Sequence, residues 1–269
     1  MTGSVHNRQD IIKAAKLLKR GEAITFYNRG VWALIGDGRS NKFNDRVAAI
    51  KGAERNNVPI ASFMAAERVS RLIDFEKIHP NFHQVLKDHK KMSSWFGSLC
   101  FLRLPVKKSA VKGFPVNMLS WLDESTPVFQ NWDPTGHKPA EDIVLAMSEI
   151  GIKYHAITSL NAHGVPEIIS EEEAVAFAKN RDIALVLTDP LNNKKTAGGY
   201  TIFSMVNETR LLRHGNIPVE YFKSHFGELL ITEGAKLSNH THNPFPEELL
   251  VEKTPEKIRE NLLKYLNGK

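Results

Sequence analysis

ITSLNAHGVPEI, residues 157–168, breaks a β-like run at its own first polar residues. The run from Tyr154 to Ile157 stops at Thr158-Ser159; Asn161, Gly164 and Pro166 follow. Polar groups at such a strand end cap the next turn or helix, or they aim hydroxyls and an amide at a ligand. Local chemistry leaves both readings open. Upstream, AEDIVLAMSEIGI (140–152) has the periodicity of an amphipathic helix that delivers the chain into this strand. Downstream, Ser170 and Glu173 have capping-box spacing at the start of SEEEAVAFAKN (170–180), and IALVLTD (183–189) reads as a buried strand.

The rest of the chain repeats this mixture. Ile11, Ile12, Ala15 and Leu18 mark one face of a helix ending at Gly21. EAITFY (22–27) and VWALIG (31–36) read as strands joined by a turn at Asn28-Arg29-Gly30. The spacing predicts a helix over 41–55, with Phe43, Val47 and Ile50 inward, and helices over 65–79 and 81–92. SLCFLRLPV (98–106) is an apolar strand, 107–126 is loop-like, and YTIFSMV (200–206) is a further strand. Strands and helices alternate without strict βαβ repetition. That predicts an α/β fold with a twisted, mixed open sheet and helices around it. The composition changes at about residue 234, so the expected division is a domain over 1–233 and an extension over 234–269. In that extension Ile258, Leu262, Leu263 and Leu266 form an apolar stripe. A stripe that narrow docks on its own domain, covers a site or binds a partner.

Hydrophobic residues make up 42% and charged residues 25% of the 269, the composition of an ordinary globular protein. No run of eighteen apolar residues spans a membrane, and MTGSVHNRQD lacks the apolar core of a signal peptide. The single cysteine, Cys100, forms no internal disulfide, which is compatible with a reducing compartment. The expected location is the cytoplasm. The net charge of +6 suits RNA, nucleotides or acidic ligands, and equally an ordinary basic protein.

No Walker A, G-x-G-x-x-G, H-E-x-x-H, G-x-S-x-G or CxxC pattern occurs. His240 and His242 form an H-x-H pair with no third ligand nearby, and no metal site is expected. What remains is polar residues at element ends. Lys51 is late in a helix, where its simplest role is to answer the helix dipole. Ser159 and Asn161 follow a strand, and Arg213 sits in RLLRHGNIP.

The order of these residues resembles that of the YrdC family, the threonylcarbamoyl-adenylate synthases. Its successive motifs align with ITFYNRGVWALIGD (24–37), AAIKGAERNNVPIASF (48–63), SSWFGSLCFLRLP (93–105), AITSLNAHG (156–164) and TRLLRHGNIP (209–218). The resemblance covers about residues 8–230. It implies a YrdC-like fold with a basic central cavity. It also implies an activity: an amino acid, bicarbonate and ATP give a carbamoylated amino-acid adenylate and pyrophosphate, which in the family serves tRNA threonylcarbamoyl-adenosine modification. ATP would enter as a substrate with Mg²⁺, with no tightly bound cofactor. Lys51 would be the catalytic cation, and Lys51, Arg55, Thr158, Ser159, Asn161 and Arg213 would hold the nucleotide. Asn28 and Thr201 would face the amino acid. Double-stranded RNA or tRNA would be a partner, and a membrane would not.

The sequence departs from the family chiefly on the amino-acid side. Tyr27, Asn28 and Arg29 replace Pro-Thr-Glu, and Ala53 replaces the arginine of Lys-x-Arg, with Arg55 a turn beyond Lys51. A family histidine falls at Phe63. An arginine that contacts the amino-acid carboxylate in some members falls at or beside Phe129. A carboxylate entering such a site needs a cation, so L-threonine is expected to be a poor substrate. The alternative is a non-catalytic nucleotide- or RNA-binding protein of the same fold. A carbamoyl-adenylate-handling enzyme is a third reading, weakened because no carbamoyltransferase-like domain is joined here.

Overall fold

The structure, a computed structural model, describes residues 1–52, 58–191, 198–237, 246–251 and 254–267. The first half forms β1 (Thr2–Ser4), α1 (Arg8–Lys19), β2 (Ile24–Asn28), β3 (Val31–Asp37), α2 (Asn41–Lys51), β4 (Ala61–Ser62), α3 (Ala66–Ser70), α4 (His83–Lys87) and α5 (His89–Phe96). Then come β5 (Cys100–Pro105), α6 (Lys108–Val111), β6 (Ser120–Trp121), β7 (Pro127–Trp132), α7 (Lys138–Glu149), β8 (His155–Ser159), α8 (Glu171–Asn180) and β9 (Leu185–Thr188). The chain ends in β10 (Thr201–Ser204), β11 (Thr209–Arg213), α9 (Val219–Phe226), β12 (Leu230–Ile231) and α10 (Pro255–Leu266).

All the strands join one sheet in the order β1-β9-β2-β3-β8-β4-β7-β5-β10-β11-β12, with β6 on β7. It is mixed: β2–β3, β3–β8 and β5–β7 run antiparallel, whereas β2–β9, β4–β7 and β5–β10 run parallel. Side chains alternate between its two faces. Ile24, Phe26, Ala33, Ile35, Ile157, Leu185 and Trp132 belong to an inner core with Ala14 and Leu18 of α1 and Ile143 and Met147 of α7. Trp32, Leu34, Leu102, Phe129 and Phe203 belong to the outer core, which contains Phe43 of α2 and Phe222 of α9. α2 lies close against β3, because a Cβ on Gly36 would stand 2.0 Å from the Phe43 ring. No helix among the described residues is long and apolar enough to cross a membrane.

The sheet curls until its middle meets its far strands. Asn28-Arg29-Gly30-Val31 closes the β2–β3 hairpin with positive φ at both central residues, 41° at Arg29 and 105° at Gly30. The backbone oxygens of this tip then accept from the far strands. Gly30 O accepts from Gly198 N (3.0 Å), Asn28 O from the Tyr200 hydroxyl (3.2 Å) and Arg29 O from Asn216 Nδ2 (3.1 Å).

Several helices differ from their predicted spans. The helix predicted over 41–55 stops at Lys51, where Gly52 takes φ 83° and leaves the helical path. Residues 53–57, Arg55 among them, lie outside the described set. In place of a helix over 65–79, the five-residue α3 is followed by a 3₁₀ turn at Phe75–Lys77, capped by Asp74. The predicted helix over 81–92 is split at Asp88, whose carboxylate accepts from Lys90 N and Lys91 N and so starts α5. The extension docks. Ile258, Leu262 and Leu266 of α10 are buried in the outer core, and Arg259 donates to Gly97 O (3.1 Å).

Two measurements test this packing. Leu262 is fully buried, so Leu262→Ala should cost about 2–5 kcal/mol in urea unfolding. His155 is held neutral by burial, its pKa falling from 6.5 to about 4. Below pH 6.5 the unfolded chain takes up this proton before the folded one does. Stability should therefore fall by up to about 3 kcal/mol between pH 6.5 and 4. His155→Leu should flatten the slope of Tm against pH in that window, whatever its Tm at neutral pH.

Candidate functional site

Helices α1 and α7 cover only part of the inner face. The remainder lines a cavity of about 300 Å³, at the small end of the range for ligand sites. Its wall takes Asn28 from β2, Val31 and Ala33 from β3, Thr158 and Ser159 from β8 and Ala61 from β4. Gln130 on β7, Phe101 and Arg103 on β5, Ile202 on β10 and Arg213 on β11 also line it, with Ser120 and Glu167 among others.

Arg213 reaches this wall through an irregularity. Ile202 pairs with Arg213 but Phe203 pairs with Leu211, which leaves Leu212 as an extra residue in β11. Leu211 faces the outer core. In a regular strand Arg213, two residues on, would face the same way. The bulge returns it to the inner face. Its guanidinium donates to Tyr200 O through Nε (3.2 Å) and Nη2 (2.8 Å), and Nη1 lies 3.9 Å from Glu167. The turn that follows needs glycine. A Cβ on Gly215 would sit 2.0 Å from Thr201 N and 2.1 Å from Tyr200 C.

Lys51, Ser159 and Asn161 come together as one cluster. Lys51, at the end of α2, is 4% exposed. Its ammonium donates to Asn161 Oδ1 (2.6 Å), to Ser159 Oγ (3.2 Å) and to Ser159 O. Ser159 Oγ donates to Asn161 Oδ1 (2.6 Å), and Asn161 Nδ2 donates to Val165 O. Asn161 organises the turn, and Ser159, paired with the inward Ala33, stands at the cavity wall. Lys51 stands behind Ser159, outside the lining itself.

Other positions fall elsewhere. Thr201 is not brought to the cavity. It lies one residue before the inward Ile202, and its hydroxyl donates to Ile217 O (2.8 Å). Arg29 turns away from the cavity and donates to Ser98 Oγ (2.8 Å), Gly136 O and Asn267 Oδ1. Burial lowers its pKa to about 10. Phe129 packs on Phe114 in the outer core, and Phe63 stacks against Phe26 in the inner core. His240 and His242 lie outside the described residues. Among the described residues, no group of three or more His, Cys, Asp or Glu side chains is placed to hold a metal ion.

The sequence reading missed Arg103, Gln130, Ser120 and Glu167. The signal for Arg103 lay in the alternation of SLCFLRLPV: Cys100, Leu102 and Leu104 take the outer face, leaving Phe101 and the one charged residue on the other. The cluster predicts its own test. Asn161→Ala leaves the buried Lys51 ammonium with fewer acceptors, so it should lower unfolding free energy by about 1.5–3 kcal/mol in urea titration.

No protein-family model and no curated protein matches the sequence. Solved structures match over most of it. Two are structures of Sua5 from P. abyssi, a double-alanine variant (TM-score 0.66) and a complex with L-threonine (0.63), each 18% identical over 86% of this chain. The chain spans 65% and 62% of the length of those two Sua5 chains. YciO from E. coli matches at TM-score 0.57 and 14% identity over 81% of this chain and 95% of its own. Full-length HypF, in a phosphate- and nucleotide-bound form, matches at 0.54 and 20% identity over 76% of this chain and 29% of its own. The curled mixed sheet, with its cavity on the inner face, is thus the YrdC-like fold shared by Sua5 and YciO.

Proposed function

We propose that the cavity binds ATP and an amino acid and that the protein is a relative of the threonylcarbamoyl-adenylate synthases. The observation that carries this reading is the set of donors in and behind the wall of one cavity. Arg213 is turned inward by its bulge, Thr158 and Ser159 line the wall, and the Lys51 ammonium stands directly behind Ser159. That collection of a guanidinium, an ammonium and the Ser159 hydroxyl suits a polyphosphate. Fixed donors of this kind stabilise charge as it develops at an attacked phosphorus. The Sua5 complex with L-threonine and the nucleotide-bound HypF support the reading at the level of fold.

In the proposed reaction the amine of the amino acid adds to bicarbonate with loss of water, giving a carbamate. A carbamate oxygen then attacks the α-phosphorus of ATP, and pyrophosphate leaves with the electron pair of the broken P–O bond. Mg²⁺ enters with ATP as part of the substrate. Arg213 holds phosphate oxygens, and Lys51 would reach one by giving up a bond to Ser159 while Asn161 keeps its ammonium in place. Arg55 is proposed to add a further cation from the segment that follows α2. An RNA such as tRNA would be met downstream of the adenylate, in keeping with the basic charge.

Pyrophosphate release tests this. It should require ATP, bicarbonate and one amino acid from a panel of twenty. Arg213→Gln and Lys51→Ala should each weaken ATP binding about tenfold or more by calorimetry, the loss of one charge-assisted phosphate contact. ATP binding without release in the presence of any amino acid would instead identify a nucleotide-binding protein.

A further inference from the structure

Arg103 differs from the other arginines around the cavity and the docked helix. Arg213, Arg29 and Arg259 each donate to backbone or side-chain oxygens. The Arg103 guanidinium has no hydrogen-bond or ion-pair partner among the described residues, although it lies half-buried in the cavity wall. Its pKa is lowered by desolvation with no anion to offset it. Leaving a cation in that state costs free energy that a ligand's anion would recover. The same cavity wall holds a complementary group. Asn28 is 1% exposed, and its Oδ1 is a buried acceptor with no hydrogen-bond donor among the described residues.

We propose, resting on the reading of this cavity as the substrate site, that Arg103 anchors the carboxylate of the amine substrate. Asn28 Oδ1 accepts from its ammonium, so the cavity selects a small zwitterionic α-amino acid. The planar guanidinium fork matches a carboxylate. Gln130, directly across from Arg103 on β7, and Ser120 add an amide and a hydroxyl to the same wall. The phosphate is assigned to Arg213, which stands at a different place on the sheet. Phe101, Ile202 and Arg213 share one row across the sheet, and Arg103 stands two residues farther along β5. Two residues displace it by about 7 Å along the strand, and it lies two strands away, each step about 4.8 Å. Val31, Ala33, Phe101 and Ile202 add an apolar wall for the substrate's side chain. The cation that the sequence reading found missing at Phe129 thus comes from the neighbouring strand. The ground for expecting L-threonine to fail is removed.

The test is calorimetric titration of L-amino acids, each beside its own carboxamide, into the wild type and Arg103→Gln. The best-bound acid should bind the wild type at least tenfold more tightly than its amide, and Arg103→Gln should abolish that preference. The deaminated acid should be insensitive to Asn28→Leu, whereas the amino acid is not. ATP affinity should be unchanged in Arg103→Gln, and its Tm equal to or above that of the wild type, because no native partner is lost. Acid binding unaffected by Arg103→Gln, an amide weakened as much as the acid, or no binding of any panel member to the wild type would each overturn the assignment. If pyrophosphate is never released but the Arg103-dependent preference for the acid persists, the synthase reading fails and this one stands.

Discussion

The closure of the curled sheet on itself is the constraint from which the site follows. Three backbone oxygens at the tip of the first hairpin accept from Gly198 N, the Tyr200 hydroxyl and Asn216 Nδ2. These contacts hold the end of β2 against the start of β10, though several strands separate them along the sheet. A flat sheet of the same order would spread Asn28, Gln130, Arg103 and Arg213 over an open surface. The curl puts them around one cavity, where water is scarce and each charge acts more strongly. The glycine at 215 belongs to this constraint, since any side chain there would push the chain off Tyr200 and Thr201.

The hairpin tip carries its strain in a specific place. Arg29 holds a left-handed backbone that a residue with a Cβ adopts at a cost of roughly 1–2 kcal/mol. Its side chain offsets that cost by donating to Ser98, Gly136 and Asn267, the last beyond the end of α10. The C-terminal extension is therefore joined to the residue next to Asn28. The apolar stripe of α10 docks on the outer core, and its last turn reaches the hairpin that forms the cavity wall.

Much of this was legible in the sequence, and the rest was hidden for identifiable reasons. Lys51, Ser159 and Asn161 were visible because each lies at or just beyond the end of an element whose period is clear. The mixed sheet was visible from strands and helices that alternate without strict repetition. The family resemblance implies Thr201 for the amino acid, but a strand turns successive residues to opposite faces, and Ile202 holds the inner one. Arg103 was passed over because an apolar strand with one arginine reads as a buried strand with a flaw. Only the pairing of β5 with β7 and β10 shows which face that arginine takes. The ends of α2 and α4 depended on Gly52 and Asp88, single residues whose local conformations outweigh the periodicity around them.

The extra residue at Leu212 has a consequence for how the strand can change over time. Upstream of it, Leu211 answers to the outer core; downstream, Arg213 answers to the cavity. The bulge separates these demands, so the two halves of one five-residue strand are free to vary under different selection. A loss or gain of one residue there would exchange the faces and place a cation among aromatic side chains. Such a strand tolerates substitution on either side of the bulge far better than it tolerates a change of length.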